Sequence, residues 1–164
     1  MDFSKKFRFS LLSFLYLLFL TACNSSHATS IAEVAEKIRF AVNNNNIEQF
    51  HSLTTLPLTI YEQEWESAQD GMGFVLGKFT QKDISTTSKF KAIIPDFLVS
   101  LQIEGKTPIT DISLDMFKDE LGNKLTFWKR FNLVLFKRGE GDVEHIVLMG
   151  LNKTTNKLSA IYIN

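Results

Sequence analysis

Phe9 to Leu20 is an apolar run of 12 residues, interrupted only by Ser10 and Ser13, and the single cysteine of the chain, Cys23, follows shortly after it. This arrangement limits which part of the chain can fold as a soluble unit. A helix needs about 20 apolar residues to cross a bilayer, so the run is too short for a stable span. Lys5, Lys6 and Arg8 precede it, and basic residues before an apolar stretch of this length are the layout of a secretory signal peptide. Residues 1–22 are therefore expected to be removed, leaving 142 of the 164 residues to build the protein. Export leads to an oxidising compartment, yet one cysteine permits no internal disulfide. Packing and hydrogen bonds must then supply the stability.

The run ends in Leu20-Thr21-Ala22-Cys23, an aliphatic residue and two small ones before the cysteine. This segment resembles the lipobox of bacterial lipoproteins. The resemblance implies that the Cys23 sulfur receives a diacylglyceryl group, that the chain is cut between Ala22 and Cys23, and that the new amine is acylated with a fatty acid such as palmitate. Several acyl chains, at about 0.8 kcal/mol per buried CH2, anchor firmly where one is marginal. Asn24 stands where an Asp would retain a lipoprotein in the inner membrane, so the resemblance points to the inner leaflet of the outer membrane, facing the periplasm. Residues 23–30 continue as a small, polar stretch, expected to be a flexible tether. His27 within it is expected to be solvated.

Residues 31–164 remain for one domain, enough for a single core and too few for two. The whole chain is 45% hydrophobic and 22% charged, as in ordinary globular proteins. Taking Lys5, Lys6, Arg8 and Asp2 from its 18 basic and 18 acidic residues leaves 15 and 17, a net charge of −2. Nucleic acid is not an expected partner, since binding it needs a clearly positive face.

Ser30-Ile31-Ala32-Glu33 has the form of a capping box, and Ile31, Val34, Ile38 and Val42 then recur on one helical face. Asn43 to Asn46 ends that helix, and a short second one begins at Ile47 with Phe50 and Leu53 turned inward. Thr54 to Leu58 reads as a connector, and Thr59 to Glu62 as a second capping box opening a helix through Trp65 that stops at Gly71. Gly71 to Gly77 reads as loose chain, and Lys78 to Ala92 carries no decisive period, with helix the nearer fit. Beyond Pro95 the period becomes 2: Val99, Leu101 and Ile103 predict a strand, then Ile112, Leu114 and Met116 another, with Asp111 and Asp115 solvent-facing. Gly105 to Pro108 and Leu121 to Asn123 read as turns. A long strand is predicted over Leu125–Lys137, a hairpin loop over Gly139–Asp142, and two more strands over Val143–Leu151 and Leu158–Ile163.

Helices followed by strands predict an α+β fold, with N-terminal helices packed on an antiparallel meander sheet. This order, with the short Asn-rich break between the first two helices, resembles the NTF2-like (cystatin-like) superfamily over about Ile31 to Ile163. The resemblance implies helices packed into the concave face of a bent sheet, and no activity by itself, because the fold hosts many unrelated functions.

No catalytic constellation emerges, and neither a metal site nor a cofactor motif is present. His51 and His145 stand on distant elements, whereas a helical metal pair needs i, i+4 spacing. No serine sits in a G-x-S-x-G elbow, and Gly71, Gly73 and Gly77 lack the Lys-Ser/Thr of a phosphate loop. Glu62 and Glu66, i, i+4 on the expected helix, form an acidic contact surface, an acid/base pair or, as such runs more often do, a solvated face. Trp128 beside Arg130, on the expected polar face of the long strand, is either core or a contact anchor, aromatic residues and Arg being the usual hot spots of interfaces.

The expected function is that of a membrane-anchored, non-catalytic protein-binding module, touching the bilayer through Cys23 and a partner through Trp128, Arg130, Glu62 and Glu66. Immunity proteins that neutralise toxins delivered by neighbouring bacteria share this plan. The alternative is a small-ligand carrier or enzyme that uses the concave pocket of an NTF2-like sheet.

Overall fold

The computed structural model describes residues 29–101, 103, 107–138 and 145–164. The expected export signal, Cys23 and all but the end of the tether lie outside them, as does the Gly139–Asp142 loop. The domain is α+β. Helix α1 spans Ile31–Asn43 and α2 spans Ile47–Ser52; strands β1, Thr54–Ser67, and β2, Phe74–Ile84, follow. Helix α3 covers Thr87–Leu101, and two short helices, α4 at Lys118–Leu121 and α5 at Leu125–Trp128, are interleaved with 3-10 turns at Leu114–Phe117 and Gly122–Lys124. Strands β3, Phe131–Arg138, β4, His145–Asn152, and β5, Leu158–Ile163, complete the chain. Among the described residues no helix is long and apolar enough to cross a membrane.

The first two helices form as the sequence predicts. The Ser30 hydroxyl accepts from the Glu33 amide at 3.1 Å and the Glu33 carboxylate accepts from the Ser30 amide at 3.0 Å, closing the capping box. Val34, Ala35, Ile38, Ala41 and Val42 are buried. Asn45 takes a positive φ of 49°, which ends the helix, and Asn46 caps α2 by accepting from the Gln49 amide.

Residues 59–71 do not form the expected helix. They belong largely to β1, because Thr59, Ile60 and Tyr61 are β-branched or aromatic and the site needs side chains alternating to two buried faces. Ile60 enters the core on one side of the sheet and Tyr61 the core on the other. The run Lys78–Ala92 likewise divides between β2 and the start of α3. Gly71 and Gly73 supply the positive φ values of the connecting bend.

The strand expected after Pro95 is also helical. Phe90, Ile94, Phe97, Leu98 and Leu101 recur at helical spacing and bury one face of α3. Pro95 removes one backbone donor within that helix, but packing of the apolar face outweighs the loss. Ile112 to Met116, expected as a strand, instead leads into the 3-10 turn at Leu114–Phe117, where the Ser113 hydroxyl accepts from the Asp115 amide. The long strand expected over Leu125–Lys137 begins only at Phe131; its first part is α5.

The sheet is mixed, not an antiparallel meander, in the order β2-β1-β5-β4-β3. Strands β3, β4 and β5 do form an antiparallel meander, and β1 and β2 an antiparallel hairpin. The two halves join through parallel pairing of β1 with β5, in which Tyr61 stands beside Tyr162. Both faces are covered. Helices α1 to α3 close one with Ile38, Phe50, Phe90 and Leu98 against Leu58, Ile60, Phe136, Val147 and Ile161. The segment 114–128 closes the other with Phe117, Leu121 and Trp128 against Tyr61, Leu135, Leu148 and Tyr162. Burying each such side chain contributes about 1.5–3 kcal/mol.

Gly150 marks a close approach between strands in the core. A Cβ built there would lie 2.9 Å from the Phe131 ring, and both residues are buried. Gly150→Ala is expected to lower stability by about 1–3 kcal/mol through overpacking, read as a reduced urea midpoint at an unchanged slope. An unchanged midpoint would mean that the Phe131 ring can withdraw without cost.

Candidate binding surface

The four residues expected to meet a partner do not come together. Glu62 and Glu66 stand on a strand, not on a helical face. Glu62 Oε2 pairs with Lys82 Nζ on the neighbouring strand at 2.7 Å. Such exposed pairs contribute about 0–1 kcal/mol. Glu66 lies across Gly77, where a Cβ would overlap its carboxylate, and its Oε1 accepts from the Lys78 amide at 3.2 Å. It locks the hairpin.

Trp128 is not on the polar face of a strand. It lies in α5 at 0% exposure, so it is a core residue and not an accessible anchor. Arg130, two residues later, is exposed, and its guanidinium sits 4.2 Å over the Phe127 ring and 5.0 Å from the centre of Phe131. Behind it the aromatic contacts continue inward: Phe127 meets Phe131 edge-on at 5.2 Å and Tyr61 at 5.6 Å, and Tyr61 meets Trp128 at 6.0 Å. Burial, then the Asp83 carboxylate, raise the Tyr61 hydroxyl above its usual range, and Arg130 opposes them. The stack fixes a planar cation at the surface, the kind of group that anchors contacts.

A second feature was missed in the sequence. Trp65 on β1, Phe117 and Glu120 on the covering segment, and Leu135 and Ile146 on the sheet border a hollow of about 290 Å³. Glu120 Oε2 and Trp65 Nε1 are each shielded from solvent, and neither has a hydrogen-bond partner among the described residues. The Tyr162 hydroxyl, which donates to Gln63 Oε1 at 3.0 Å, is held well above its usual range by burial first and by the Glu120 charge second. The sequence pattern suggests a helix at Trp65, and Glu120 borders the hollow only because residues 114–128 coil over the sheet; neither placement shows in a residue pattern.

His51 and His145 are apart, as their elements are. His51 on α2 packs edge-on against Phe90 at 4.6 Å. His145 Nδ1 lies 3.0 Å from the Asn164 carbonyl oxygen, so the tautomer that pairs here carries its proton on Nδ1. The buried polar residues, Thr54, Thr59 and Asn164, are each hydrogen-bonded: Thr54 donates to the Phe50 carbonyl, Thr59 to Asp83, and Asn164 Oδ1 accepts from the Ile146 amide. Among the described residues no three His, Cys, Asp or Glu side chains converge as a metal cage needs.

Compared with known protein families, characterised proteins and solved structures, the chain matches none.

Proposed function

We propose that the protein is a lipid-anchored, periplasm-facing binding module, held to the outer membrane through Cys23, that acts by contacting another protein without catalysis. The partner class that suits a small exported protein of this kind is a toxin delivered by a neighbouring bacterium. The observation that carries the reading is the way the interior is used. Apolar side chains pack against both sheet faces, which supports contact through the surface, where Arg130 over Phe127 and Phe131 offers a pre-ordered anchor.

Charge reversal at Arg130 tests this. Cells lacking the protein are expected to lose viability in mixed culture with toxin-delivering siblings, and the wild-type gene to restore it. Arg130→Glu, an exposed change that leaves the core intact, is expected to weaken partner binding by roughly thirtyfold and to fail in rescue. Full rescue by Arg130→Glu at normal protein level would remove Arg130 from the contact surface.

A further inference from the structure

We propose that the end of the sheet where the tether joins the domain is a docking surface for the anionic phosphate headgroups of the bilayer that holds Cys23, an inference that rests on the lipid anchor proposed above. Strand pairing gathers its parts. Thr54 pairs with Leu158, Leu151 with Leu158 and Phe131 with Asn152, so β1, β3 and β5 begin and β4 ends at this one edge. The chain enters the domain here too: Asn156 Nδ2, in the turn between β4 and β5, donates to the Thr29 carbonyl at 3.4 Å. Thr29 stands six positions after Cys23, so an extended tether spans at most about 20 Å. Lys129, Lys153 and Lys157 are exposed at this end, and none pairs with a carboxylate among the described residues. Lys153 Nζ donates to the Lys129 carbonyl at 2.9 Å, which leaves two further N–H groups for an anion. Both lysines border a hollow of about 340 Å³, together with Thr110, Asn132 and Ile31, the first residue of α1. Its described lining holds no carboxylate. Of the acidic residues next to that lining in sequence, Glu33 accepts from the Ser30 amide and Asp115 pairs with Lys118, leaving Asp111 against three lysines. Arg130 is held over Phe127 and Phe131 and does not line the hollow. Each lysine brought to an anionic leaflet multiplies the docked population by about fivefold, and the tether is short enough to let all three reach it.

The experiment uses the protein purified from cell membranes in nonionic detergent, its intact mass showing whether Cys23 carries acyl chains. A fluorophore is placed on Thr154→Cys, in the exposed turn between β4 and β5, or on Met72→Cys, which is 83% exposed at the tip of the β1–β2 hairpin. Each protein is reconstituted into phosphatidylcholine vesicles, with or without phosphatidylglycerol, that contain a lipid with a quencher on its headgroup. The label at 154 is expected to be strongly quenched only where phosphatidylglycerol is present. Salt at about 1 M, which cuts the screening length to about 3 Å, is expected to return it to the phosphatidylcholine level. The label at 72 is expected to stay bright throughout. Adding Lys129→Gln and Lys153→Gln, both exposed changes checked by a melting curve, is expected to lower the docked-to-undocked ratio by about thirtyfold. A mass without acyl chains overturns the anchor and this inference with it. Acylated protein whose 154 label ignores phosphatidylglycerol or salt overturns the inference alone, and that comparison needs no lysine variant. Loss of protection by the lysine variant without any such quenching in the parent places these lysines in the protein contact surface, and also overturns it.

Discussion

Trp128→Ala is expected to destabilise the domain by about 3–5 kcal/mol, the range for emptying a large aromatic site in a core. Set against a total of about 5–15 kcal/mol, this change unfolds a substantial fraction of the molecules at growth temperature. The side chain has 0% exposure and is packed against Tyr61, Phe127 and Phe131 at ring distances of 6.0, 5.9 and 6.1 Å. Any loss of partner binding in this variant should therefore follow the loss of folded protein, as a melting curve recorded beside the binding assay will show. Trp128→Phe separates volume from polarity. The indole Nε1 is buried with no hydrogen-bond partner among the described residues, so removing it relieves an unsatisfied donor while part of the ring volume is kept. Its cost should fall well below that of alanine. A folded Trp128→Ala protein with wild-type stability and lost binding would contradict the core assignment.

The second large effect concerns the anchor. Cys23→Ala is expected to abolish incorporation of a palmitate analogue and to leave a precursor that retains residues 1–22. It should also yield no membrane-bound mature form, because in the proposed anchor several acyl chains at about 0.8 kcal/mol per CH2 would provide the hold. Persistent labelling of Cys23→Ala would show that the lipobox reading of Leu20 to Cys23 is mistaken.

The elements that could be read in advance are those whose local chemistry agrees with their tertiary environment. The Ser30 capping box, the Val34, Ile38 and Val42 face, the Asn46 cap and the strand at Leu158–Ile163 are of this kind. The misread elements are those where the two disagree. Thr59 to Glu62 satisfies a capping pattern, but the same residues suit a strand, and pairing with β2 and β5 decides the matter. Pro95 looks like a boundary, yet the apolar spacing from Phe90 to Leu101 runs straight through it. Leu125, Phe127, Phe131, Leu133 and Leu135 fit one long alternating strand, and the charged pair Lys129-Arg130 that separates α5 from β3 is easily absorbed into its polar face. The parallel seam between β1 and β5 joins residues 54–62 to residues 158–163, and nothing local announces such a distant pairing. The same holds for the surface. Arg130 was visible as an Arg beside aromatics, but the hollow at Trp65 and Glu120 exists only once a coiled segment is laid over the sheet.

The most direct test of a binding role without proton transfer is to remove both histidines of the folded region and measure protection. His51 packs on Phe90 and His145 pairs with the Asn164 carbonyl, positions that suit structural use. The double variant His51→Ala, His145→Gln, expressed with its anchor and shown to be folded by its melting curve, is expected to protect cells and bind the partner within a few fold of wild type. Complete loss of protection in a protein whose fold is intact would contradict the account and place the chemistry on a histidine.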